Sequence, residues 1–91
     1  MGNSLLDQKF EISSDVVFRD VQGEEVILDL KSGTYFGLNE TATRIWKALE
    51  KGGSIDQIIK RIAQEYAVSE AQASQDVLDL VKELKKKKLV A

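Results

Sequence analysis

The 91 residues suffice for one domain with a single modest core, since a chain of this size buries only about 60 to 65 % of its unfolded surface. Neither cysteine nor histidine occurs, which removes disulfides, a thiolate nucleophile, the common zinc ligand sets and the usual general base near neutral pH; no cofactor, no metal site and no catalytic residue is expected. A net charge of −2 and a pI near 5.1 give no overall field for nucleic acid, and no apolar run approaches the ~20 residues of a membrane span.

Met1 to Leu6 lack the basic region and apolar stretch of a secretory signal, and Leu6 stands where a myristoylation motif needs Ser or Thr, so a cytoplasmic protein is expected. Residues 1–15 are mostly polar, with Leu5, Leu6, Phe10 and Ile12 as anchors, and read as a partly ordered arm holding at most one short strand. The domain proper is expected over 16–91. From Val16 the runs VVFRDV, EEVILDLK and TYFGL are β-branched and aromatic, broken at Gln22-Gly23 and Lys31-Ser32-Gly33; they predict three strands joined by two hairpins.

After Leu38 the apolar period lengthens to that of a helix. Asn39 caps a first helix with Ala42, Ile45, Trp46 and Leu49 inward, and Gly52-Gly53 ends it. Ser54 with Gln57 forms a capping box for a second helix, whose inner stripe is Ile55, Ile58, Ile59, Ile62 and Tyr66. Ser69 with Gln72 opens a third, carrying Val77, Leu80, Val81 and Leu84, and Leu89 and Val90 are expected to fold back onto the core. The sum is an α+β chain, a three-stranded antiparallel meander followed by a three-helix bundle, resembling a rearranged winged helix.

The third strand of a meander is an edge, and Thr34 to Leu38 contain no Lys, Pro or inward charge to discourage pairing by another chain. An extended peptide added there gains about four or five backbone hydrogen bonds, each worth roughly 0.5 to 1.5 kcal/mol net. The competing reading is that the N-terminal arm or a dimer partner covers this edge. On the third helix Leu78 stands off the core stripe beside Lys82 and Lys85, which suits either a second wall of a peptide groove or a core margin beside solvated lysines. The lysines at 82, 85, 86, 87 and 88 also admit a nucleic-acid binder of winged-helix type, although Ser69 to Gln75 offer no Arg for base reading.

The run Gly33-Thr34-Tyr35-Phe36-Gly37-Leu38-Asn39-Glu40-Thr41-Ala42, followed by Ile45-Trp46, resembles the signature of the PqqD family, also called the RiPP recognition element; the likeness extends over roughly residues 16–90. It implies a peptide chaperone that binds the leader segment of a ribosomally made precursor beside the third strand. It also implies a separate modifying enzyme as partner, which for the family's namesake is a radical S-adenosylmethionine protein on the route to pyrroloquinoline quinone. Carried over by position, the groove would comprise Thr34, Tyr35, Phe36, Gly37 and Leu38 with Asp76, Leu78, Val81, Lys82 and Lys85. The four consecutive lysines are not a mark of that family.

Overall fold

Gln22 and Gly23 both take positive φ (54° and 88°), the two-residue turn whose twist matches that of a hairpin, and the Asp20 carboxylate accepts from the Gly23 N–H at 2.7 Å. This turn joins β1 (Val16–Val21) to β2 (Glu24–Asp29) in the computed structural model, which describes residues 9–90. The Leu5 and Leu6 anchors lie outside the described residues. At the second turn Gly33, at φ 72°, donates its N–H to the Asp29 carbonyl at 2.7 Å, while the Asp29 side chain accepts from the Lys31 N–H and the Ser32 hydroxyl. β3 (Thr34–Gly37) follows, and the sheet order is β1-β2-β3, antiparallel throughout, as the spacing of the apolar runs predicts.

Register places Phe18, Ile27 and Phe36 in one row across the three strands, on the face that meets the helices. The alternate rows, Val17-Leu28-Tyr35 and Arg19-Val26-Gly37, lie on the outer face.

α1 (Glu40–Glu50) starts where the Asn39 side chain accepts from the Ala42 N–H at 2.8 Å and ends at Gly52, whose φ of 85° only a residue without Cβ adopts cheaply. Its Trp46 is fully buried and meets Phe18 edge to face with centroids 5.2 Å apart. The inner stripe differs from expectation at two places, one of them Ala48, which is buried beside Leu49. Thr43, not Ala42, is the buried residue of the first turns, because its hydroxyl has a task in the sheet described below.

α2 (Ile55–Glu65) has the full Ser54/Gln57 capping box, and its four isoleucines at 55, 58, 59 and 62 are buried. α3 (Glu70–Lys86) is capped by Ser69, and packs Ala73, Val77, Val81 and Leu84 inward. Beyond it the chain turns at Lys88 (φ 60°), the Leu89 N–H returns to the Leu84 carbonyl at 2.9 Å, and Leu89 and Val90 are buried. Val90 forms a bridge with Ile12, and the Ser13 N–H donates to the Leu89 carbonyl. The described part of the arm therefore pairs with the C-terminal tail. Among the described residues no helix is long and apolar enough to cross a membrane.

Candidate functional site

Two ladders meet β2, but among the described residues β3 has a neighbour on one side only. The Leu38 N–H donates to the Glu25 carbonyl at 2.9 Å, so the backbone of Leu38 faces β2. Antiparallel alternation then turns the N–H and C=O of Phe36 toward Ile27 and those of Tyr35 and Gly37 away from the sheet. No other described segment hydrogen-bonds to the backbone of Tyr35 or Gly37. The described residues of the arm do not cover this edge, since they run beside β1 and the tail: the Asp15 carbonyl accepts from the Leu30 N–H at 2.8 Å, and Ile12 pairs with Val90.

Thr43 fixes where the strand leaves the sheet. Its hydroxyl accepts from the Glu25 N–H at 2.9 Å and donates to the Leu38 carbonyl at 3.3 Å, filling the position where a direct backbone bond from Glu25 to Leu38 would close the pair. Leu38 is thereby held half-buried at the mouth of α1, and the next residue, Asn39, caps that helix.

No Cα of β3 comes within 8 Å of one in α3. The space between the start of α1 and α3 is a depression of about 390 Å³ lined by Asn39, Thr41, Ala42, Ile45, Asp76, Asp79, Leu80 and Glu83. At the other end Lys87, just past α3, places its ammonium 5.6 Å from the centre of the Phe36 ring and 2.7 Å from the Glu83 carboxylate. That ammonium holds the Glu83 carboxyl below its usual range. Asp76 and Asp79 accept from the neutral amides of Gln72 and Gln75 and have no cationic partner among the described residues.

Of the residues singled out from sequence, the structure brings together Thr34, Tyr35, Phe36, Gly37 and Leu38 along the strand. Tyr35 is 68 % exposed, and Phe36 is half-buried under Lys87. Asp76 lines the depression that continues this strand. The other helix residues are not gathered there. Val81 is a core residue, only 2 % exposed, and Lys85 points to the arm, 5.3 Å from the Phe10 ring. Leu78 and Lys82 share the Lys85 flank, because at about 100° per residue they lie on the far side of the core stripe from Leu80 and Glu83.

On the other flank of the core stripe, Asp76, Asp79, Leu80 and Glu83 line the depression beside the start of α1, and Lys87 beyond them reaches Phe36 of β3. Leu80, expected on the inner stripe of α3, packs against the core but is only partly buried. The signal was present in its angle, at the edge of the Val77-Val81-Leu84 stripe.

The sequence matches the family model described as coenzyme PQQ synthesis protein D (PqqD) over residues 24–90. The chain belongs to the PqqD family. Among solved structures this PqqD-family chain is similar to TbiB1 in complex with the TbiA(beta) leader peptide, at 38 % identity and a TM-score of 0.84, with 88 % of this chain and 93 % of that chain covered. It is also similar to lasso peptide synthetase B1 complexed with the leader peptide, at 28 % identity and a TM-score of 0.86, with 92 % and 99 % covered. No curated protein sequence matches it. The expected meander followed by three helices is thus the architecture this PqqD-family chain shares with both.

Proposed function

We propose that this PqqD-family chain binds the leader segment of a ribosomally made precursor peptide as a fourth strand beside β3 and presents it to a separate modifying enzyme, without doing chemistry itself. One observation carries the proposal: the N–H and C=O groups of Tyr35 and Gly37 point away from β2, and no other described segment pairs with them. An added strand satisfies those groups, and side chains on its inner face reach Phe36, Leu38 and Leu80. Backbone bonds supply affinity without sequence preference, so discrimination between peptides falls to the side chains of the cleft.

The two similar proteins were both seen with leader peptides, which supports a leader as the guest and favours a precursor of the lasso type over one for a quinone cofactor. The absence of histidine and cysteine supports the non-catalytic reading. Neither the family model nor the two similar structures points to nucleic acid.

The test is a titration of the isotope-labelled protein, followed by NMR, with the leader of the precursor encoded beside it. Amide shifts concentrated at Tyr35 and Gly37 are expected. Amides there that stay in place at saturating peptide would remove the proposal.

A further inference from the structure

The cleft is electrically polarised along its length. At the end where β3 runs into Asn39 and Thr41, Asp76 and Asp79 line the depression and form no ion pair among the described residues. At the other end the ammonium of Lys87 lies over Phe36. Between them stand the partly buried Phe36, Leu38 and Leu80, with Glu83 held by Lys87. β3 therefore runs from the cationic end toward the anionic one.

A guest strand has two possible directions, and they differ in strength. Pairing antiparallel to β3 lets a guest residue exchange both bonds with Tyr35 and another exchange both with Gly37, whereas the slanted bonds of a parallel pair are slightly weaker per residue. An antiparallel guest enters beside Asp76 and Asp79 and leaves beside Lys87.

We infer that the segment this chain selects is an extended peptide with Lys or Arg in its N-terminal half, apolar residues at its centre and Asp or Glu in its C-terminal half. This rests on the docking reading above and adds the substrate's charge order. Each end contributes separately: a basic guest residue meets two carboxylates that hydrogen-bond only to neutral amides, and an acidic one competes with Glu83 for Lys87. A guest of reversed charge order places like charges together at both ends, which is how an interface rejects wrong partners.

The experiment is selection of short randomised peptides displayed on their own messenger RNA against the intact chain, with sequencing of the enriched pool. Basic residues are expected to be enriched by about threefold or more in the N-terminal half and acidic residues similarly in the C-terminal half. The double variant Asp76→Lys/Asp79→Lys should erase the first preference and keep the second, and Lys87→Glu should do the converse. Circular dichroism establishes that each variant is folded.

Enriched peptides that move the Tyr35 and Gly37 amides but show no charge order, or the reverse order, overturn this inference and leave the docking role standing. A pool with no enrichment, or with binders that leave those amides unmoved, overturns both.

Discussion

The hydroxyl of Thr43 stands 2.9 Å from the backbone nitrogen of Glu25, joining the first turn of α1 to the β2 strand it packs under. The same hydroxyl donates to the Leu38 carbonyl, so a single oxygen serves two buried or half-buried backbone groups at the end of the candidate groove. Thr43→Val preserves the shape of the side chain and leaves both groups unpartnered. A loss of about 1 to 3 kcal/mol in unfolding free energy is expected, with Thr43→Ser retaining most of it. Urea denaturation monitored by circular dichroism measures both, and equal stability of the valine variant would show that water or a relaxed strand replaces the hydroxyl.

Proline separates the two sides of β3. The Tyr35 N–H points away from the sheet, so Tyr35→Pro should leave the domain folded while weakening leader binding by about tenfold or more, through one lost hydrogen bond and the bulk of the ring. The Phe36 N–H points to Ile27, and Phe36→Pro should instead destabilise the sheet itself. Thermal unfolding and peptide titration on both proteins distinguish the cases. A Tyr35→Pro variant that binds as tightly as the parent would mean that the guest does not use this edge.

Glu25 is only 3 % exposed, and burial raises its carboxyl above the ordinary 4.5, an effect that the nearby Lys47 charge opposes. A raised acid binds its proton more tightly in the folded chain than in the unfolded one. Its contribution to stability is therefore most favourable below 4.5, declines as pH rises through the folded-state value, and is a constant penalty above it. Glu25→Gln should melt a few degrees higher than the parent at neutral pH, and the difference should vanish in acid below the ordinary carboxylate value. Coincident melting temperatures at neutral pH would show that the ionised carboxylate is adequately solvated where it stands.

Most of the architecture was legible because local signals agreed with one another. Gln22-Gly23 and Gly33 marked the turns, Asn39, Ser54 and Ser69 marked the helix starts, and each is found in that role. The open edge followed from strand order alone. The helix wall did not follow, because an amphipathic stripe tells which residues face the core and says nothing about which flank of the stripe meets the sheet. Leu78 and Leu80 are both margins of that stripe, and only the crossing of α3 over α1 puts Leu80 and Glu83 in the cleft. Thr43 was hidden for a related reason: a polar residue at an inward position has meaning only once the sheet above it is in place.

The bridge between Ile12 and Val90 ties together positions separated by nearly all of the described chain. Leu89 and Val90 contribute buried surface to the same core as Ile27 and Trp46, so that core stays open to water until the tail has arrived. On a ribosome the strands and the first two helices are made early yet have no lid. α3 and its Lys87 end are made after them, so a chain synthesised only as far as α2 has the β3 edge but not yet the helix end that covers Phe36.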